Sequence, residues 1–264
     1  GTGTTWTAYS ISNNALRGAS SMRRPAGISH NYYLTSDYRK KVYANLSIFN
    51  FWGFGNTMKD NNIGLSVHVQ PLDALNVSVS ADYSYYFRKQ EQFVSNISYD
   101  NAIRTIVSEV KQNTLRFTAR INYNITPDLT LQYYGQPFIT RPLYNNFAYV
   151  SDPLAKNYND RFHVFRSGEL NLVDDQYQVD ENMDGVADYS FSKPDFNFVQ
   201  FRSNLVVRWE YRAGSELYLV WSQGNTPDAS ADLDRPITES LVDNAFAEQA
   251  RNIFLIKWTY RFLK

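Results

Sequence analysis

Polar and apolar residues alternate with a period of two along much of this chain. In the closing stretch, "ARNIFLIKWTYRFLK", the even positions are Phe254, Ile256, Trp258, Tyr260 and Phe262. The odd positions include Arg251, Lys257, Thr259 and Arg261, with Leu255 among them. Successive side chains of a strand point to opposite faces, so this pattern predicts a strand with two chemically different sides. In "VQFRSNLVVRWEYR" one side carries Val199, Phe201, Leu205, Val207, Trp209 and Tyr211. The other carries Gln200, Arg202, Asn204, Arg208, Glu210 and Arg212. "TLRFTARINYNIT" sets Leu115, Phe117, Ala119, Ile121, Tyr123 and Ile125 against Arg116, Thr118, Arg120, Asn122 and Asn124. "LNVSVSADYSYYF" sets Leu75, Val77, Val79, Ala81, Tyr83 and Tyr85 against Asn76, Ser78, Ser80, Asp82 and Ser84. "NIGLSVHVQ" and "DLTLQYYGQ" repeat the pattern briefly, and "KVYANLSIFNFW" and "ISHNYYLTS" repeat it weakly.

About ten strands follow, near 4–12, 27–36, 40–53, 61–70, 74–88, 112–126, 128–138, 197–212, 216–224 and 250–264. Tight turns with Pro, Asp or Gly chemistry join some of them: "SDYRK", "QPLDAL", "TPDL" and "RAGSE". The other connections are long, at 13–26, 54–61, 88–112, 139–196 and 225–248. Short and long connections therefore alternate. The one helical signal is "TESLVDNAFAEQAR", good for a turn or two.

Short turns at one end and long loops at the other are the layout of an outer-membrane barrel. A tilted spanning strand needs about 9–11 residues, and the clearest stretches supply that. Aromatics gather toward the ends of the apolar sides, where amphipathic rings suit the headgroup level. The expected fold is thus all-β: a transmembrane antiparallel β-barrel with long extracellular loops. Residues 1–264 would be one such domain or the C-terminal portion of one. Tyr83, Tyr123, Trp209, Tyr211, Trp221, Trp258, Tyr260 and Phe262 would face lipid or form its girdle. Asp82, Arg116, Arg120, Arg202, Arg208, Glu210, Lys257 and Arg261 would face the lumen, as a salt-bridged filling or as a pore lining preferring anions or sugars. With short turns periplasmic, strand 250–264 runs inward and ends on the periplasmic side. A soluble β-sandwich would also alternate, but it does not call for strands this long.

Composition narrows the classes. Lys+Arg and Asp+Glu both number 26, which argues against nucleic acid as a partner. There are no cysteines, so disulfide scaffolds and thiolate metal sites are excluded. Aromatic residues make up 16%, which favours strands. No apolar run is long enough for a spanning helix, and "GTGTTWTAYS" is not a signal peptide.

One stretch has metal-site spacing. "DENMDGVADY" places oxygens at Asp180, Asn182 and Asp184, a turn at Gly185, a carbonyl at Val186 and a carboxylate at Asp188. A hard cation wants six or more oxygens from one short loop, so calcium is the candidate cofactor. The twelfth position is Phe191 rather than Glu, so no bidentate ligand arrives there. Without an ion, the same residues form an ordinary turn. The three histidines, His30, His68 and His163, lack ligand spacing. "GTGT", "GFGN" and "SQGN" read as turns, and "SMRRP" as a solvated or lumen-lining basic cluster. Tyr133, Tyr134, Phe138, Tyr144, Phe147 and Tyr149 are aromatics that would stack on sugars or on one another.

The run "DENMDGVADYSFSKPDFNFVQFRSNLVVRWEYRAGSELYLVWSQ", with "ALRGASSMRRP", "DYRKK" and "NIFLIKWTYRF", resembles the C-terminal barrel of Bacteroidota outer-membrane proteins described as carbohydrate-binding family 9-like domain-containing. The resemblance implies a Gram-negative outer-membrane location, with outer-membrane lipid and the barrel-assembly machinery as partners. It also implies surface proteins or glycans as further partners. The expected function is a non-catalytic barrel that anchors a carbohydrate-binding or multi-protein assembly. A passive pore for small solutes or oligosaccharides and a soluble lectin are the alternatives.

Overall fold

The computed structural model describes residues 1–227, 235–245 and 250–262. In chain order the strands are β1 (Thr2–Thr7), β2 (Ser10–Ser12), β3 (Met22–Arg24), β4 (Gly27–Thr35), β5 (Val42–Gly53), β6 (Met58–Leu72), β7 (Leu75–Tyr99), β8 (Ala102–Thr126) and β9 (Leu129–Val150). Then come β10 (Phe162–Val164), β11 (Leu170–Val173), β12 (Gln176–Val179), β13 (Tyr189–Ser192), β14 (Phe198–Arg212) and β15 (Ser215–Asn225). Helix α1 (Ile237–Ala245) and β16 (Arg251–Trp258) close the order.

One antiparallel sheet dominates, in the order β1-β4-β5-β6-β7-β8-β9-β14-β15-β16, with β10 beside β9. Its ten-strand path is a meander with two detours: the β2–β3 hairpin, and the segment carrying β10 to β13. The expected closure into a barrel is not present. Among the described residues β1 and β16 are each paired on one side only, so the sheet is open. The N-terminal strand expected at 4–12 divides into β1 and β2, and "GTGT" and "SQGN", expected as turns, lie at or in strands. "GFGN" does form a turn, with Gly55 at φ 69°. The expected helix is present as α1; residues 246–249, 263 and 264 lie outside the described residues.

The largest departure lies at the loop end. The connection expected at 88–112 is instead strand. β7 runs to Tyr99 and β8 starts at Ala102, with Asp100 and Asn101 alone between them. Both have positive φ, 46° and 56°, as a tight hairpin of right-handed twist requires. The alternation is lost here for two reasons. Register shifts fall between Arg88 and Gln92 and between Phe93 and Ser95, and each extra residue turns the following side chains over. Both faces of the upper strands are also covered, so neither needs to be polar. β9 likewise runs on to Val150, with a shift opposite Val107–Glu109 and Asn146 at φ 48°.

The packed interior sits at this end. Ile106, Phe147, Val179, Tyr189 and Phe191 join the long strands to the small β11–β12–β13 sheet. Leu16 and Met22 pack on Val107, Ala148 and Phe162. Leu241 and Ala245 of α1 cover Leu115, Ile139 and Val199. Toward the short turns no described element covers either face of the sheet.

Candidate functional site

Below α1 the register sorts side chains by face. Val77, Ile121, Tyr133, Leu205, Trp221 and Phe254 form one cross-strand row, and Val79, Ala119 and Gly135 lie in the next on that side. On the interior strands of this side Leu65 is 48% exposed, Val79 51% and Leu219 43%, while Val77, Ile121, Tyr133, Leu205 and Trp221 are half-buried. On edge strand β16, Phe254 and Ile256 exceed 70%. α1 marks the upper limit of this bare band on β8, β9 and β14.

Several aromatics stand toward its ends, while Trp221 and Tyr133 lie in its middle row. Trp221 stacks on Phe254, with ring centroids 6.1 Å apart. Near the short turns, Trp258 Nε1 donates to the Tyr211 hydroxyl at 2.6 Å, and Arg212 donates to the Tyr260 hydroxyl at 2.7 Å. Trp209 meets Tyr211 edge-on, and Tyr123 pairs with Leu75 and Leu131 beside the turns. Tyr83 donates to Asn113 at 2.7 Å further up. Tyr260 and Phe262 lie past the end of β16, and Phe262 is 86% exposed.

The opposite face carries the polar set. Asp82 stands across from Arg116, 3.5 Å away, and Arg120 lies over the Tyr134 ring at 5.2 Å. Arg202 pairs across from Gln136. Between these strands lies a groove of about 440 Å3 lined by Ser66, Ser80, Asp82, Arg116, Thr118 and Arg120 among others. Gly64 lines an adjoining hollow with Ser47 and Asp82, where a Cβ would come within 2.9 Å of both Asp82 Oδ1 and Ser47 Oγ. A second cluster forms nearer the turns. Arg208 is held by Glu216 and Glu210, and the Lys257 ammonium lies 5.5 Å from the Tyr218 ring. Arg261 stands apart from both clusters. It lies beyond β16, folded over Gly214, with its N–H on Ser215 Oγ at 3.0 Å. The sequence reading missed the hydroxyl and amide lining; its signal was present as the polar half of each alternation.

The Asp180–Asp188 loop sits in the cap between β12 and β13. Asp180 accepts N–H bonds from Asp184 (3.1 Å) and Gly185 (2.8 Å). Asn182 accepts from Asp184, Asp184 from Val186, and Asp188 from Glu181, each at 2.8–2.9 Å. The oxygens thus face backbone donors. Among the described residues no three His, Cys, Asp or Glu side chains are grouped as a metal site.

Other polar groups of the cap act as ties. The Arg161 guanidinium is buried and donates to the carbonyls of Arg23, Ala155 and Lys156. "SMRRP" is not solvated: Arg24 meets buried Glu91 at 2.9 Å. Burial pushes the Glu91 carboxyl up, against the pull of Arg24. Burial alone would raise Glu169 too, but the Arg166 N–H and the His163 ring hold it below the usual value. Phe147 packs on Tyr177 and Phe191, so that member of the aromatic set is occupied by its neighbours.

No curated protein matches the chain at a significant level. A family model does, over residues 13–263: the domain of unknown function DUF5916. With nearly its whole length so matched, the chain belongs to the DUF5916 family.

Proposed function

We propose that this chain forms part of the wall of an outer-membrane β-barrel in a Gram-negative bacterium. It would serve, without catalysis, to anchor or scaffold a surface carbohydrate-binding or multi-protein assembly. One observation carries the reading: an apolar band on interior strands that no described part of the chain covers, with several aromatics toward its ends. In water such a band would be a contiguous exposed apolar patch, which on soluble proteins marks an interaction surface. Hydrocarbon tails would cover it at no cost in polar desolvation. Its length suits the purpose: Phe117 to Ile125 is nine residues, about what a tilted spanning strand needs.

Backbone groups in lipid must all be paired, so the outer edges of β1 and β16 would need partners in the assembled wall. β1 runs toward the loop end and β16 away from it, which suits an antiparallel seam, direct or through further strands. The packed cap would then face outward and meet proteins or glycans, and the barrel-assembly machinery would insert the chain. Calcium at the Asp180 loop has spacing alone in its support.

Reconstitution into vesicles of bromine-labelled phospholipid tests the reading. Fluorescence of Trp209, Trp221 and Trp258 is expected to be quenched. Unquenched emission, together with a protein that stays dispersed without detergent, would instead favour a soluble lectin. The basic polar face favours a second reading, a solute pore, and steady conductance in planar bilayers would select it over a silent scaffold.

A further inference from the structure

We infer that the polar face holds a binding site for an acidic saccharide, in the groove between β6 and β9 beside Asp82, Arg116, Arg120 and Gln136. The first argument is charge. Three arginines of the sheet are neutralised by carboxylates, Arg88 by Asp60, Arg104 by Glu181 and Arg208 by Glu210 and Glu216, and Arg212 is held by the Tyr260 hydroxyl. In the groove the balance is basic. Arg116 shares Asp82 at 3.5 Å, and among the described residues no carboxylate lies within 4.0 Å of Arg120 or of neighbouring Arg202. Three guanidiniums thus stand against one carboxylate on one stretch of wall. A guanidinium fork matches a carboxylate in two-pronged geometry.

The second argument is the lining. Ser66, Ser80 and Thr118 offer hydroxyls, and Gln136 offers a carboxamide that already donates to Thr118 at 3.1 Å. Such groups both give and accept hydrogen bonds, as sugar hydroxyls require. The volume of about 440 Å3 falls within the usual range for small-ligand sites, roughly 300–1,000 Å3.

The third argument separates acidic from neutral sugars. A neutral sugar is commonly held on a bare aromatic face, and the rings here are taken. Tyr134 lies under Arg120, and Tyr43 is stacked on His68 with centroids 4.5 Å apart. Charge and hydroxyl matching remain. Nothing in this site depends on what covers the apolar face.

Titration calorimetry on the detergent-purified chain tests it, with tetragalacturonate, maltotetraose and sulfate as three separate probes. Tetragalacturonate is expected to saturate and to weaken as salt rises. Maltotetraose and sulfate should each bind at least about tenfold more weakly, since each lacks one half of the match. Arg120→Gln and Arg202→Gln should each weaken uronate about tenfold, the loss of one charge-assisted contact. Arg120→Lys should fall between them and the parent. Asp82→Asn, which frees Arg116, should tighten binding. Near-UV circular dichroism identifies variants with the parental fold, and the three-probe comparison on the parent needs no variant. Absence of saturable uronate binding, equal binding of maltotetraose or sulfate, or parental affinity in both glutamine variants would overturn the assignment. A protein that proves soluble without detergent would overturn the barrel reading and leave this titration as it is.

Discussion

Arg104 on β8 grips Glu181 with two prongs, Nε to Oε1 at 3.0 Å and Nη2 to Oε2 at 3.1 Å. Glu181 also accepts the Tyr189 hydroxyl, whose ionisation burial and that contact oppose. The tip of the longest hairpin is thereby tied to the Asp180 loop through one carboxylate. Both partners of the bridge are mostly shielded, at 28% and 16% side-chain exposure, so the tie is not the weak surface kind. Arg104→Ala should lower the local stability of 176–193 by about 1–3 kcal/mol, the range for hydrogen bonds to charged groups. Limited proteolysis should cleave that segment at least several-fold faster while the long strands resist. Unchanged cleavage would show that the aromatic packing holds the segment unaided.

The same loop poses a metal question. Its side-chain oxygens accept backbone N–H bonds and keep further lone pairs, so bound calcium would make a chelator speed cleavage of 176–193, and an unaltered pattern would retire the ion. Asp180→Ala removes the acceptor of two N–H groups, from Asp184 and Gly185, and should open the loop without any change of ion. Calcium-dependent protection of the parent would mean that these carboxylates turn inward around a cation.

Neighbouring residues on β7 separate lipid from water. Val79 lies in the bare apolar band and Ser80 in the polar groove. Val79→Arg should cost about 2–4 kcal/mol of stability in bilayers if it falls near the midplane, while Ser80→Arg should be tolerated. In a soluble sheet, a half-exposed valine replaced by arginine would change stability by no more than about 0.5 kcal/mol. Urea titration of both variants in vesicles gives the comparison.

Acid should loosen one turn of the cap before the rest. Glu169 accepts the Arg166 N–H at 2.8 Å and meets His163 at 3.0 Å, which depresses its carboxyl. A depressed carboxyl stabilises the fold above its unfolded pKa, and that contribution is lost as pH falls through the folded one. Hydrogen-exchange protection around 165–170, corrected for the intrinsic rate at each pH, should therefore fall as pH drops below the ordinary carboxylate range, about pH 4. Glu169→Gln should show the lower protection already at neutral pH and no further loss of protection in acid.

Legibility followed the environment of each strand. Where one side is bare apolar and the other polar, as at Val77–Tyr83, Phe117–Tyr123 and Leu205–Tyr211, alternation gave strand, face and neighbouring turn. Where both sides are covered, as at Ile106–Val110 and Phe147–Val150, no alternation survives, and inserted residues near Arg88, Phe93 and Asn146 scrambled what remained. The Asp180 loop was visible as a motif, but its spacing does not distinguish oxygens aimed at an ion from oxygens aimed at N–H groups.

The chain's own order of residues therefore determined that there are two-faced strands, where the short turns fall, and that one face is oily and the other basic. Only the tertiary structure decided that the strands form an open meander, that their upper thirds rise into a packed cap, and that Arg120 and Arg202 stand without carboxylates beside a hydroxyl-lined groove. The physical reason is range. Period and turn chemistry are set by neighbours in sequence, whereas pairing register, bulges and the company of a charge are set by residues distant along the chain.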